Sequence, residues 1–336
     1  MNLTQLKKVL NKEHSYRLKQ VKKALFVDLI EDWREAVVLP LLLQENLNKI
    51  CPIKINAQTF FSKDKKTAKT LITLKDGLKI ESVLMEHKDG RNTVCVSSQV
   101  GCAMRCSFCA TGQAGFKRNL EIFEIVEQVL FFARHLKKKG EKITNIVFMG
   151  MGEPFLNYEN VLGAIKILND KEGFNLGARH ISISTVGILE GIKKLSRENL
   201  QVNLAISLNA PDDDLRSRII PINKKYPIAD LLEVVDDYIA KTKRKVMFEY
   251  LMIKDLNDSD VCAKKLAKLM KKPLYFVNLI FYSPTGIFKA SSSWRIKKFK
   301  EILEKGGVQV TQRYRFGQDI KAACGQLATN KANLDG

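Results

Sequence analysis

From residue 93 onward the chain alternates short apolar runs with longer amphipathic stretches, and this rhythm limits the fold more than any other feature. Six runs have the length and β-branched content of strands: 93–97, 145–149, 180–184, 203–207, 246–252 and 275–281. Between them lie stretches with apolar residues at helical spacing, among them 120–136, 161–168, 228–240 and 259–270. Strands separated by helix-length crossovers pair in parallel. The pattern therefore predicts an α/β fold whose parallel sheet is open or partly closed into a barrel. In such sheets the working residues sit on loops at the C-terminal ends of the strands. Here Gly101-Cys-Ala-Met-Arg-Cys-Ser-Phe-Cys109 follows the first run and Gly150-Met-Gly-Glu-Pro154 the second. Ser184-Thr-Val-Gly187, Ser207-Leu-Asn-Ala-Pro211 and Tyr282-Ser-Pro-Thr-Gly286 follow the third, fourth and sixth. Any one is an ordinary turn. Five on one rim, one of them rich in cysteine, point to a shared site.

The first 92 residues read differently. Residues 1–52 are expected to form a basic helical accessory segment. Leu3, Leu6 and Leu10 recur at helical spacing, and a second periodic stretch follows Ser15, a candidate N-cap. Lys7, Lys8, Lys12, Arg17, Lys19, Lys22 and Lys23 either solvate a helix face or form a basic arm for RNA. Residues 53–92 are expected to be a small β module, because β-rich runs at 70–74 and 78–84 flank Lys75-Asp-Gly77, a strong hairpin signal. Residues 93–336 would be the core, closing on a segment around Cys324.

Apolar residues make up 45% of the 336, which excludes wholesale disorder. The longest apolar run, Ala36 to Leu43, contains Pro40 and is too short to span a bilayer. The opening MNLTQLKKVL lacks the apolar stretch of a secretory leader, so a cytoplasmic location and no membrane partner are expected. With 56 Lys and Arg against 36 Asp and Glu, the formal net charge is +20. That charge suits a nucleic-acid partner, whose phosphates exchange counterions for lysines and arginines. A generally lysine-rich composition is the alternative.

The cysteines are Cys51, Cys95, Cys102, Cys106, Cys109, Cys262 and Cys324. An odd number without a leader argues for a reducing compartment. Cys102, Cys106 and Cys109 form C-x3-C-x2-C. A structural zinc site uses four ligands, usually from paired C-x2-C knuckles, and no second knuckle is present. Three thiolates on one loop would instead hold three irons of a [4Fe–4S] cluster, leaving the fourth open. An open iron can chelate an amino acid through its amino and carboxylate groups, and S-adenosylmethionine has both. An electron from the cluster then splits the sulfonium into methionine and a 5′-deoxyadenosyl radical. Phe108 would wall the adenosyl group. Zinc or an incidental grouping remains open at this point.

Four stretches carry a family resemblance: Cys95-Val-Ser-Ser-Gln-Val-Gly-Cys102, Phe148-Met-Gly-Met-Gly-Glu-Pro154, Ile220-Pro-Ile-Asn-Lys-Lys-Tyr-Pro227 and Asp319-Ile-Lys-Ala-Ala-Cys-Gly-Gln-Leu327. The chain resembles the radical S-adenosylmethionine superfamily and, within it, the RlmN/Cfr family of 23S ribosomal RNA adenine methyltransferases. The resemblance runs over nearly the whole chain and is weakest in the first 50 residues. It implies a partial (β/α)6 barrel, a [4Fe–4S] cluster on Cys102, Cys106 and Cys109, and two S-adenosylmethionine molecules per turnover. The target is an electron-poor amidine carbon that ordinary methyl transfer cannot reach. The family first methylates a cysteine, matched here by Cys324. The radical takes a hydrogen from the S-methyl group, and the resulting methylene radical adds to the base. A second cysteine, matched by Cys95, then attacks the Cys324 sulfur, and the disulfide releases the methylated RNA.

Further positions follow from the same resemblance. Glu81 matches the proton acceptor. Gly152 and Glu153 match the loop that receives the cofactor's amino group, and Ser184, Ser207, Leu208 and Asn209 match further cofactor contacts. Ser283 stands where many relatives have Asn. Arg313, Arg315 and Lys321 are candidate phosphate contacts, with a solvated surface as the alternative. The implied partners are 23S rRNA, transfer RNA and an electron donor such as flavodoxin or ferredoxin, with the enzyme acting as a monomer. Pro154 resembles the branch that methylates C2, in ribosomal RNA and at adenine 37 of transfer RNA. The C8-methylating resistance branch is the near alternative. A non-catalytic basic RNA-binding protein with a structural metal is the alternative from a different class.

Overall fold

A computed structural model describes residues 3–11, 13–313 and 315–328. Lys12 of the basic segment lies outside them. The strands in chain order are β1 (Ala57–Phe61), β2 (Thr67–Thr73), β3 (Lys79–Glu86), β4 (Asn92–Cys95), β5 (Gln99–Gly101), β6 (Phe116–Asn119), β7 (Asn145–Phe148), β8 (Ile181–Thr185), β9 (Asn203–Ser207), β10 (Val246–Met252), β11 (Tyr275–Phe281) and β12 (Val310–Gln312). Ten form one sheet in the order β1-β2-β3-β4-β7-β8-β9-β10-β11-β12, and β5 and β6 pair separately. From β4 to β12 every neighbour is parallel, with helices in the crossovers, and this is the expected mixed α/β architecture with a large parallel sheet. β1 and β12 stand at its two ends, so among the described residues the sheet is a partial barrel and does not close.

The 70–84 region is the hairpin that Asp-Gly announces. The Leu74 N–H donates to Leu78 O at 2.8 Å across the turn, with Gly77 at φ 82°, a conformation that suits glycine. β3 pairs antiparallel with β4, placing Val83 opposite Cys95, while β4 pairs parallel with β7, placing Cys95 opposite Val147. The hairpin thus extends the same sheet that carries the βα series. β12, three residues long, has no detectable periodicity, and Ala57-Gln-Thr-Phe-Phe61 does not alternate; neither strand was expected from the sequence.

Helices Leu3–Leu10, Ser15–Phe26 and Leu41–Ile50 precede the sheet. His14 occupies the N-cap and Ser15 is the first helical residue, so the Ser15 cap expected from sequence is displaced by one position. Leu6, Leu10, Val21, Leu25 and Leu47 join the same apolar core as the barrel strands. The helix Ile122–Lys137 stops at a lysine run, and Ile228–Thr242 stops within another, where cations favour the negative end of the dipole. Among the described residues no helix is long and apolar enough to cross a membrane.

Candidate active site

Residues of β7, β8, β9, β10 and β11 line one cavity of about 140 Å³, with the cysteine loop that follows β4 as part of its wall. That loop is bent tightly. Gly101 has φ 75°, and a Cβ there would lie 1.8 Å from Gly115 O; the Cys102 N–H donates to that same carbonyl at 3.0 Å. Cys102, Cys106 and Cys109 all face the cavity, and Phe108 lines it as expected. Burial pushes the Cys102 thiol up to about 12 and raises Cys106 as well, so each stays neutral until a bound cation compensates it.

No three His, Cys, Asp or Glu side chains among the described residues converge as ligands of a single metal ion. Three thiols on one loop that line one cavity suit a cluster of several irons held by three protein ligands.

The remaining rim residues surround this cavity. Gly152 has φ 100°, and a Cβ there would meet the Gln99 side chain at 2.5 Å, so the loop needs glycine. The Glu153 carboxylate is buried and accepts the backbone N–H groups of Phe155 (3.0 Å) and Val186 (2.9 Å). Burial pushes its carboxyl up to about 7 despite those bonds. Ser184, Ser207 and Asn209 line the cavity, and Asn209 Oδ1 accepts the Leu251 N–H at 2.9 Å. Leu208 does not reach it: its side chain is fully buried, and its N–H donates to Glu249 O at 3.1 Å.

A smaller cavity of about 40 Å³ adjoins the first. Cys95, at the end of β4, and Cys324 both line it, with Val83, Met85 and Ser283. Ser283 therefore faces the two thiols rather than the cysteine loop. Cys324 lines both cavities. Its segment is tied to the cysteine loop: the Ala110 N–H donates to Gly325 O at 2.8 Å, and Thr111 Oγ1 donates to Leu327 O at 2.5 Å. Burial pushes the Cys95 thiol up to about 12, with Cys324 raising it further and Arg313 opposing.

Glu81 lies on the face of β3 that also presents Val83 and Met85 to the thiols, yet its carboxylate lines neither cavity. It is beneath the C-terminal segment, accepting the Ala328 N–H at 2.8 Å, and Lys69 Nζ stands 3.5 Å away.

Besides Leu208, the structure corrects the expectation for Arg313, and it adds two residues. Arg313 is turned inward and lines both cavities, 3.8 Å from Glu249, so it is no surface phosphate contact. Arg315 stacks over the Phe281 ring at 3.9 Å beside the thiol cavity. Glu249, from the middle of β10, accepts hydroxyl hydrogens of Ser184 (2.5 Å) and Ser207 (3.3 Å), while its other oxygen has no hydrogen-bond donor. Lys69 and Glu249 escaped sequence reasoning. The only signal was a charged residue at a buried strand position, which can be recognised only once the strand faces are assigned.

A family model described as the radical SAM superfamily matches residues 96–263. The chain is 46% identical over 317 residues to a probable dual-specificity RNA methyltransferase RlmN of Dictyoglomus turgidum, covering 94% of this chain and 91% of that protein. It is 43% identical over 325 residues to the ribosomal RNA large subunit methyltransferase N of Nitrosopumilus maritimus, covering 94% and 93%. The crystal structure of a radical SAM methyltransferase from Sphaerobacter thermophilus matches with a TM-score of 0.93 at 44% identity, covering 97% of each chain. Likeness at this level spans the cysteine loop, the rim and the sheet that positions them, and the chain accordingly belongs to the radical S-adenosylmethionine superfamily and, within it, to the RlmN family of RNA methyltransferases.

Proposed function

We propose that the chain methylates C2 of an adenine at the peptidyl-transferase centre of 23S rRNA, and C2 of adenine 37 in transfer RNA, with Cys324 as methyl carrier and Cys95 as resolving thiol. The observation that carries this reading is the position of Cys324: it meets the cysteine loop in one cavity and Cys95 in the next. Two S-adenosylmethionine molecules and a [4Fe–4S] cluster, when bound, supply the methyl group and the 5′-deoxyadenosyl radical.

The chain's own residues do the rest. Cys102, Cys106 and Cys109 would hold the cluster. Glu153 offers a carboxylate to an ammonium, and Ser184, Ser207 and Asn209 shape the pocket around the adenosyl end. Cys324 sits on a segment that can present its sulfur to either cavity, whereas Cys95 is fixed at a strand end. A thiolate at Cys95 that attacks the Cys324 sulfur forms the S–S bond as the bond from that sulfur to the RNA-linked carbon breaks, and that carbon takes the electron pair and a proton to become the methyl group. Glu81 accepts the proton that leaves the target carbon, and Ser283 borders the two thiols. The relatives' dual-specificity name and Pro154 favour C2 over C8. An external one-electron donor of flavodoxin or ferredoxin type and a monomeric, cytoplasmic enzyme complete the reading.

The test uses anaerobically purified protein. It should be brown with about four irons per chain, and Cys324→Ala should keep the iron while losing methyl transfer to RNA. Digested product should contain 2-methyladenosine. A colourless protein with one zinc, or unimpaired Cys324→Ala, overturns the mechanism; 8-methyladenosine as sole product overturns the choice of carbon.

A further inference from the structure

Lys69 is a buried lysine within β2, with its side chain 2% exposed, and Glu81 on the neighbouring strand is 1% exposed. Burying an ammonium is costly unless it is paired. The antiparallel register sets Lys69 across from Val83 and Leu71 across from Glu81, so Lys69 and Glu81 are diagonal neighbours on one face of the hairpin. That face continues into the thiol cavity through Val83 and Met85.

The two carboxylate oxygens of Glu81 have different partners. Oε2 accepts the Ala328 N–H at 2.8 Å, from the segment that carries Cys324. Oε1 has no hydrogen-bond donor and faces Lys69 Nζ at 3.5 Å. The other neighbours engage only the Glu81 backbone: its N–H donates to Met151 Sδ at 3.3 Å, and Ser97 Oγ donates to its carbonyl at 2.6 Å. Lys69 is the charged side chain that acts on Glu81 among the described residues.

We propose that Lys69 is a positioning residue for the methyl-transfer reaction, its ammonium holding the Glu81 carboxylate in place and charged as the proton acceptor. This rests on the reading of Glu81 given above. The C-terminal segment covers Glu81, so a movement that presents Cys324 to a base also withdraws the Ala328 N–H. Lys69, on β2 and paired on both sides by β1 and β3, stays. The proton then passes from the target carbon to Oε1, the C–H bonding pair remains on the adenine ring, and the ammonium keeps its charge beside the new carboxylic acid. Burial raises the Glu81 carboxyl above its ordinary value and Lys69 opposes that rise. The rise makes the carboxylate a stronger base, and the ammonium favours the ionised form that can accept a proton.

The experiment compares wild type, Lys69→Met, Lys69→Arg and Glu81→Gln in the anaerobic, cluster-loaded protein. Removing the ammonium should raise the Glu81 carboxyl further, so the acidic limb of the RNA-methylation pH profile moves upward. Below that limb the rate falls roughly tenfold for each unit moved. Methylation of Cys324 without RNA should be unchanged, and Lys69→Arg should restore the limb. Infrared difference spectra against Glu81→Gln give a readout independent of turnover. They should show an ionised Glu81 in wild type at neutral pH and a protonated one in Lys69→Met. An unmoved limb, or an ionised Glu81 in Lys69→Met, overturns the role of Lys69 alone. Full RNA methylation by Glu81→Gln overturns the proton-acceptor reading, and this proposal with it. Equal loss of Cys324 methylation in Lys69→Met and Lys69→Arg makes Lys69 a folding residue and overturns the proposal.

Discussion

Arg216 is a fully buried cation, and its position explains how two loops of the rim are held together. Its guanidinium donates to Val186 O at 2.5 Å, Leu208 O at 3.1 Å and Asn223 Oδ1 at 2.7 Å. Val186 and Leu208 belong to the loops after β8 and β9, which carry the Ser184 and Asn209 walls of the larger cavity. Asn223 lies in the Ile220–Pro227 stretch that helped to identify the family, so part of that motif works as a staple. Burial lowers the basicity of Arg216 to about 10, which still leaves it charged at neutral pH. Arg216→Met removes the donors and strands three buried acceptors. It should cost about 3 kcal/mol or more of stability in urea unfolding. Arg216→Lys keeps the charge without the planar fork and should recover only part of the loss. A Met variant as stable as wild type would mean that the loops hold together without this cation.

At the level of elements, six of the seven parallel strands, all but β12, were legible because each is an apolar run of strand length. The structure places all six within one or two residues of the expected limits. The cysteine loop was legible for a local reason as well: its three thiols fall within eight residues. The family resemblance, not any local pattern, picked out Cys95 and Cys324. The structure brings them to one cavity although they are far apart in sequence. Lys69, Glu249 and the inward turn of Arg313 stayed hidden because each depends on which face of a strand is buried and on a partner from a distant element. The C-terminal segment is the clearest case. Among the described residues it has no regular secondary structure beyond β12, and its position is set by bonds to other elements, among them Ala110 to Gly325, Thr111 to Leu327, Lys63 N–H to Asp319, and Ala328 to Glu81. Thr111→Val removes one of these at a cost of about 1 kcal/mol. Amide hydrogen exchange across 318–328 should rise, and RNA methylation should fall while iron content holds. Unchanged exchange would show that the other ties suffice.

For the whole molecule, charge and cavity divide the work. The excess of 56 basic over 36 acidic residues lies mostly on the surface, with Lys69 and Arg216 among the few buried cations. Lys7, Lys8, Lys19 and Lys23 are exposed on the N-terminal helices, and Lys22 is paired with Asp170. Cys95 is buried and Cys324 half-buried, where salt screens charges less than on the open surface. On the proposed reading, RNA binding should depend on surface phosphate contacts, and methylation of Cys324 should not. Raising KCl from about 50 to about 200 mM should weaken RNA binding by roughly a thousandfold if about six phosphates are neutralised. The rate of Cys324 methylation measured without RNA should not change over the same range. Filter binding and mass spectrometry of the Cys324 peptide measure the two quantities on one preparation. A flat salt response in RNA binding would mean that shape and base contacts, rather than the +20 charge, hold the substrate.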